Sequence, residues 1–186
     1  MARSFTGSQR ITGSLAATLS PGTGDQFSIA CWARSTTIAT FGYALCFSGQ
    51  SGVDRAASLA FRGDVSGDPL EFYRLNNATG HSLQGGTYAA DTWKFLGGRR
   101  NGSGTFDLCV DGTMYNTATG NVTNTLTLMV LGAFSANGSS FSANLSGQVA
   151  EAAAWTGIAL SDAEFNSLAK GFQPWRVRTK QLVGYA

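Results

Sequence analysis

The chain has 186 residues, of which 43% are hydrophobic and 13% are charged, and its formal net charge is +2. A single domain of this length buries enough apolar surface to fold without metal or disulfide support. Average soluble domains contain roughly 25% charged residues, so this surface must consist mainly of Ser, Thr, Asn, Gln and Gly. Because no basic block suited to a phosphate backbone is present, we do not expect nucleic acid as a partner.

Residues 1–22 lack the sustained apolar stretch of a signal peptide or a membrane span. Their alternating pattern predicts a strand over residues 4–15 and a break at Ser20-Pro21-Gly22. We therefore expect a protein that is made in the cytoplasm and does not associate with a membrane.

Short alternating segments separated by Gly and Asn predict a meander of antiparallel strands. Asn76-Asn77 ends one segment, while Asn101-Gly102 and Asp111-Gly112 suit type I′ turns because their residues tolerate positive φ. The predicted strands cover residues 27–34, 41–47, 57–61, 70–75, 93–100, 105–111 and 113–117.

Two sheets packed face to face would bury the alternate side chains of these strands. The predicted core contains Phe27, Ile29, Trp93, Phe95, Phe106, Leu108 and Val110.

Residues 126–174 predict strand, loop, strand and a short helix. The two strands cover residues 126–131 and 145–155. Ser161 and Glu164 form a capping box at the start of the helix. Phe165, Leu168 and Ala169 supply its apolar stripe, and Gly171 with Pro174 ends it.

This C-terminal pattern resembles the last strand and helix of laminin-G-like, concanavalin A-like jelly-roll domains. FSIACWAR (27–34) is similar to the family's aromatic-Trp strand, and residues 92–112 are similar to its Trp-led hairpin. The matching C-terminal positions are Gly147, Val149, Glu151, Trp155, Leu160, Ser161, Glu164, Leu168, Gly171 and Pro174.

The resemblance implies an all-β fold, a two-sheet antiparallel jelly-roll sandwich with one short C-terminal helix. We expect the domain to cover residues 1–174. In residues 175–186 (WRVRTKQLVGYA), basic residues alternate with apolar ones. This segment is either a strand that completes a sheet or a tail that binds a partner.

The cysteines and the histidine do not predict a metal or cofactor site. Cys31, Cys46 and Cys109 each lie in an apolar run, where a buried reduced thiol is expected. No cysteine-histidine cluster has metal-ligand spacing. His81 is the single histidine, and the Gly, Asn and Ser residues around it predict a solvated loop. We therefore predict no cofactor and no metal site.

The acidic residues do not form a glycosidase motif, which requires two carboxyls about 5 Å apart in retaining enzymes. Asp107 is four residues from Asp111, which belongs to a turn, and Asp162 and Glu164 suit the start of the helix. The densest cluster is Asp64, Asp68 and Glu71. We interpret it as a solvated loop and predict a protein without catalytic residues.

Calcium is a separate alternative, because loop carboxylates hold this ion in some related jelly rolls. Asp25, Asp54 and Asp64 are available, but no motif makes them a ligand set.

Two hypotheses from different classes remain, and a glycoside hydrolase is kept as a weaker third alternative. In the first, the chain resembles small jelly-roll proteins of bacteriophage structural genes: a non-enzymatic virion surface protein, such as a capsid decoration or head spike, assembled in the host cytoplasm and bound to capsid or tail proteins. Homo-oligomerisation stays open.

The second hypothesis is a lectin-like carbohydrate-binding module, which would also let a virion protein bind host surface polysaccharide. Exposed aromatic and amide groups would contact the sugar, although no cluster identifies a site. The candidate residues are Tyr43, Tyr73, Asn76, Asn77, Tyr88 and Asn137.

Overall fold

A computed structural model describes residues 2–19, 26–49, 55–76, 79–102, 104–119 and 125–186, and these residues form two antiparallel β-sheets. The strands are β1 (Arg3–Thr6), β2 (Ile11–Leu19), β3 (Phe27–Ser35), β4 (Phe41–Ser48), β5 (Arg55–Arg62), β6 (Leu70–Asn76), β7 (Thr79–Gly85), β8 (Lys94–Arg100), β9 (Thr105–Val110), β10 (Thr113–Thr119), β11 (Leu126–Leu131), β12 (Ser146–Thr156) and β13 (Leu182–Tyr185).

Sheet A has the order β1-β12-β3-β8-β9-β10, and sheet B has the order β2-β11-β4-β5-β6-β7. Strands β1 and β13 share one edge of β12, because β1 pairs with residues 146–149 and β13 with residues 153–155. This architecture confirms the predicted all-β jelly-roll sandwich with one short helix.

The main core lies between the sheets and follows the period of two that strands impose. Phe27 and Ile29 of sheet A are buried there, together with Leu59 and Phe61 of sheet B. Phe106 contacts Phe27 and Phe72 with ring-centroid distances of 6.3 and 5.9 Å. Aromatic contacts across the interior thus join the two sheets.

Helix α1 (Asp162–Ala169) covers part of the outer face of sheet A. Ser161 Oγ accepts a hydrogen bond from Glu164 N at 3.3 Å, and Glu164 Oε2 accepts one from Ser161 N at 2.8 Å, so the predicted capping box is confirmed. Phe165 and Leu168 are buried, and the Phe165 ring lies 6.3 Å from that of Phe95.

The C-terminal segment continues over the same outer face. Pro174 begins a 3₁₀ turn, Pro174–Arg176, and is buried. The buried indole of Trp155 donates from Nε1 to the Val177 carbonyl at 2.7 Å. Strand β13 then pairs antiparallel with β12, so residues 182–185 extend sheet A.

A loop over residues 132–145 crosses the outer face of sheet B. Its Phe134 ring lies 4.8 Å from Tyr43 and 5.9 Å from Tyr73. Ser135 N donates to Cys46 Sγ at 3.5 Å. The loop therefore covers the outward-facing aromatic side chains of β4 and β6, which would otherwise be exposed.

Two predictions about strands were wrong. The single strand predicted over residues 4–15 is two strands in different sheets, because the chain leaves sheet A after Thr6 at Gly7, whose φ is +84°, and enters sheet B at Ile11. Residues 79–85, including His81, form the edge strand β7 rather than a loop. Pairing with β6 overrides the weak strand propensity of its glycines.

The predicted turns have different outcomes. Asp111 and Gly112 have φ values of +50° and +85°, as a type I′ turn requires. At Asn101-Gly102, however, a longer loop replaces the two-residue turn, because Asn101 N bonds to the Thr105 carbonyl and Gly104 takes the positive φ of +81°. Ser20-Pro21-Gly22 and Asn77 lie outside the described residues.

Two residues of the predicted core lie elsewhere. Phe95 is buried on the outer face of sheet A, beneath α1, rather than between the sheets. Trp93 precedes β8 and remains 36% exposed. Trp93 therefore does not contribute to the core as predicted. The three cysteines are buried and free, as predicted.

Glycine 147 permits the close approach of β12 and β3, which gives a test of this packing. A Cβ on Gly147 would lie 2.0 Å from the Arg34 carbonyl oxygen, whereas a Cβ on Gly13 would meet no atom within 4 Å. We expect Gly147→Ala to lower the free energy of unfolding by about 1–3 kcal/mol through overpacking. Gly13→Ala is the matched control, and urea denaturation measures both. Equal stabilities for the two variants would contradict this packing.

Candidate functional site

The outer face of sheet A remains open at the end that α1 does not cover. In β3, Ala30, Trp32 and Arg34 point away from the main core, as alternation with Ile29 and Cys31 requires. Trp93 lies in the turn before β8. We name the surface formed by Trp32, Arg34, Trp93, Gln148 and Glu151 the indole shelf.

The floor of the indole shelf is apolar. A shallow depression of about 330 Å³ is lined by Trp32, Trp93, Ala150 and Glu151. The Trp32 ring packs edge to face on Phe95, with centroids 5.8 Å apart and an interplanar angle of 63°. Because Phe95 is itself held beneath α1, the half-buried Trp32 indole has a defined orientation.

A chain of hydrogen bonds fixes the polar side of the indole shelf. Gln148 Nε2 donates to Ser4 Oγ at 2.8 Å, and Arg34 Nε donates to Gln148 Oε1 at 2.9 Å. Arg34 Nη1 reaches Asp91 Oδ1 at 3.3 Å, and the guanidinium lies 5.9 Å from the Trp93 ring centroid. These side chains come from β1, β3, β12 and the turn before β8, so the fold pre-organises them.

The backbone of Glu151 is unusual, since its φ is +52° in the middle of β12. Ala150 pairs with Trp32 and Ala153 pairs with Ala30, so Glu151 and Ala152 together oppose Cys31 in a β-bulge. Such backbone strain in a non-glycine residue is concentrated at functional sites. The bulge also brings the Glu151 carboxylate to the rim of the depression.

Tyr185 of β13 donates a hydrogen bond from its hydroxyl to Glu151 Oε2. This contact, more than partial burial, raises the pKa of Tyr185 to about 12. The Glu151 carboxylate is therefore held between the C-terminal strand and the two indoles.

The glycan-binding residues predicted from the sequence do not form one open site. Tyr43 is buried beneath Phe134, and Tyr88 is buried with its ring 4.8 Å from Phe61. Tyr73 is half-buried in the same aromatic cluster as Tyr43. The Asn137 side chain accepts hydrogen bonds from Ser139 and Ser140 and so stabilises its own loop. The Asn76 side chain and Asn77 lie outside the described part of the chain.

The prediction that Asp64, Asp68 and Glu71 form a solvated loop was wrong for Glu71, which is a buried residue of β6. Arg62 bonds to Asp64 at 2.8 Å and to both Glu71 oxygens at 3.0 Å, and Glu71 is buried. The Arg62 guanidinium holds the pKa of Asp64 below its usual value. A general acid needs the opposite shift, so this pairing favours a structural role.

The other predicted acids are also engaged. Arg99 bonds to the buried Asp107 and the exposed Asp162, both at 2.7 Å. Asp111 accepts from Phe95 N at 2.9 Å and from Lys94 at 2.8 Å, which closes the turn after β9. Glu164 accepts from Arg178.

Within the described residues, no group of His, Cys, Asp and Glu is arranged to hold a metal ion. Asp25 and Asp54 lie outside those residues, so the calcium alternative stays open there. Among the described helices, none has the length and apolar character needed to cross a membrane.

The two antiparallel sheets and the single short α-helix of the described residues define a concanavalin A-like jelly-roll sandwich. Residues 6–166 match the model of the Laminin_G_3 family, described as the concanavalin A-like lectin/glucanases superfamily, and the chain belongs to this family. A comparison with curated protein sequences gives no significant match.

Several solved structures share the fold. The chain is similar to a heptameric SAP-like pentraxin from Limulus polyphemus, with a TM-score of 0.70 and 16% identity over 93% of this chain and 83% of that one. It is similar to the CBM40 of a Ruminococcus gnavus sialidase bound to α2,3-sialyllactose, with a TM-score of 0.60 and 13% identity over 91% and 98% of the two chains.

A botulinum neurotoxin serotype D binding domain has a TM-score of 0.65 and 14% identity over 91% of this chain and 41% of that one. At these identities the similarity shows the fold alone.

The contact between Tyr185 and Glu151 predicts the ionisation of this tyrosine. Because its pKa in the folded state is raised above its ordinary value of 10.0, the contact stabilises the fold fully below pH 10 and is lost as the pH rises towards 12. In an ultraviolet difference titration against Tyr185→Phe, Tyr185 should not ionise until about pH 12. In Glu151→Gln its midpoint should fall towards 10. An unchanged midpoint in Glu151→Gln would contradict the assigned cause.

Proposed function

We propose that this protein is a non-enzymatic carbohydrate-binding module and that its ligand binds to the indole shelf. The observation that carries this proposal is the pair of indoles, Trp93 exposed and Trp32 half-buried, beside a fixed chain of polar side chains. Binding sites combine an apolar surface with a few placed polar groups in this way. The family and the sialyllactose-bound relative support the class of ligand.

The chemistry of a pyranose ring suits this arrangement. One face of the ring presents mainly C–H groups, which pack on indole and release ordered water. The equatorial hydroxyls around the ring both donate and accept hydrogen bonds. The carboxylates of Glu151 and Asp91 accept, while Arg34 and Gln148 also provide donors near the rim.

Binding without catalysis is supported by the engagement of the described acids. A glucanase of this superfamily would need two carboxyls on either side of a bound glycosidic bond. Asp91, beside the indole shelf, pairs with Arg34, and Glu151 of the shelf accepts from Tyr185. We infer that these groups orient a sugar rather than transfer protons to it.

The test is a glycan array followed by calorimetry on the best ligand. Trp32→Ala and Trp93→Ala should each weaken binding by about tenfold or more, as expected for a central Trp at an interface. Trp32→Phe should retain part of the affinity. Ile11→Ala is the control, because Ile11 is an exposed hydrophobic residue of sheet B.

No release of reducing sugar from a β-glucan panel is expected. Wild-type affinity in both Trp→Ala variants, with unchanged thermal unfolding, would contradict the site. Failure of the wild-type protein to bind any glycan would contradict the function.

The virion role is a second proposal, with a virion-surface location and docking on capsid or tail proteins. The low content of charged residues, 13% of the chain, supports it, because subunits that pack closely must desolvate few charges. Cryo-electron microscopy of particles from the source should show ordered copies of the chain and their oligomeric state. Absence of the chain from purified particles would contradict the virion role and would not affect the carbohydrate-binding proposal.

A further inference from the structure

The segment of residues 170–180, which follows α1, is strongly basic. It contains Lys170, Arg176, Arg178 and Lys180 and no acidic residue, so the rest of the chain has a net charge of −2. All four cationic residues are exposed. Arg178 pairs with Glu164 at 2.5 Å, whereas no ion pair is recorded for Lys170, Arg176 or Lys180 with any described acid.

Two aromatic side chains are exposed among these cations. Phe172 is 55% exposed and Trp175 is 44% exposed. The Arg176 guanidinium lies 4.6 Å from the Trp175 ring centroid. We name the surface of Lys170, Phe172, Trp175, Arg176 and Lys180 the basic patch.

The backbone beneath the basic patch is anchored. Pro174 and Val177 are buried, and the Val177 carbonyl accepts from the Trp155 indole at 2.7 Å. Arg176 N and Val177 N close the 3₁₀ turn by bonding to the Gln173 and Pro174 carbonyls. The charged side chains therefore extend from a fixed support rather than from a free tail.

The basic patch and the indole shelf occupy the same outer face of sheet A. Strand β12 connects them, with Glu151 at the shelf and Trp155 beneath the C-terminal segment. At about 3.3 Å per residue the two points are roughly 13 Å apart along the strand. A ligand that spans both must be a chain of several sugar units rather than a monosaccharide.

We propose that the ligand is an anionic polysaccharide that extends along this face, with sugar rings on the indole shelf and acidic groups on the basic patch. This inference rests on the proposed carbohydrate-binding function and adds the charge class of the ligand and a second binding surface. Charge complementarity carries it, because three cations that pair with no described acid, beside exposed aromatic rings, favour an anionic chain.

An anionic membrane fits the whole face less well. A lipid surface would suit Phe172, Trp175 and the cations. It would also bring the Glu151 and Asp91 carboxylates, which lie on the same face, towards like charges. A hydrated polysaccharide chain lets these acids bond to hydroxyls instead.

Dextran and carboxymethyl-dextran test the charge class, since they share one backbone and differ in charge. We expect the wild-type protein to bind the anionic polymer more tightly in affinity electrophoresis, with an affinity that falls steeply between 50 and 500 mM NaCl. Lys170→Ala/Arg176→Ala/Lys180→Ala should lose about tenfold in affinity at low salt and most of the salt dependence. Arg3→Glu/Arg10→Ala is the control, because it lowers the net charge by the same three units at residues outside the basic patch.

The variants separate this inference from the proposed function. Trp32→Ala should weaken binding of both a neutral array glycan and the anionic polymer, whereas the basic-patch variant should affect only the anionic polymer. A basic-patch variant that binds carboxymethyl-dextran like the wild type overturns the inference and leaves the indole shelf intact. A Trp32→Ala variant with normal binding overturns both.

Two further outcomes also overturn the inference. One is the absence of any difference between dextran and carboxymethyl-dextran for the wild-type protein. The other is binding to phosphatidylserine vesicles that depends on the basic patch, without any effect of the patch on the anionic polymer, which would assign the patch to a membrane.

Discussion

Strand β12 imposes the constraint on which the rest of the structure depends, because both of its edges are paired and both of its faces contribute to a hydrophobic cluster. One edge pairs with β3, and the other pairs first with β1 and then with β13. Its inner face contributes Val149, Ala152 and Ala154 to the main core, and its outer face contributes Trp155 to the cluster beneath α1. A strand in this position cannot shift its register without displacing both clusters.

The β-bulge at Glu151 allows one edge of β12 to pair with two different strands, β1 and then β13. On one side of the bulge, β1 pairs with residues that end at Val149. On the other side, Ala152 exchanges two backbone hydrogen bonds of 2.9 Å with Ala186, next to β13. The extra residue thus lies where one edge partner replaces the other. The same irregularity turns the Glu151 carboxylate towards the two indoles, so the candidate site follows from the way the sheet is completed.

Much of the fold could be predicted because it is encoded locally. The capping box of Ser161 and Glu164 and the Asp111-Gly112 turn depend on neighbouring residues alone. The edge strand β7 was missed because its glycines and serine carry little strand propensity, and its pairing with β6 is a tertiary contact. The division of the N-terminal segment between two sheets also depends on partners distant in sequence.

The indole shelf could be predicted only in part. In FSIACWAR, alternation places Trp32 and Arg34 on the face opposite Phe27 and Ile29, a signal that the sequence carries. The predicted core position of Trp93 was wrong, because an aromatic residue at the start of an apolar run resembles a core residue. Its outward position follows from the turn before β8, where Asp91 N bonds to the Ser35 carbonyl at 2.7 Å. No sequence pattern indicated the β-bulge, which arises from the change of edge partner.

The length of α1 explains why sheet A keeps an open end. The helix has eight residues, and its two buried side chains, Phe165 and Leu168, cover Phe95 and its neighbours but leave Trp32 half-buried. If a longer helix covered this end of sheet A, Arg34, Gln148 and Glu151 would lose their contact with water, which is costly for charged and polar groups. The hydrogen bonds of Arg34 with Gln148 and of Tyr185 with Glu151 keep these side chains ordered while they stay partly exposed to water. An ordered, partly exposed rim around an apolar floor can exchange water for hydroxyl groups with little reorganisation, which is the physical reason why we propose a sugar rather than an apolar partner.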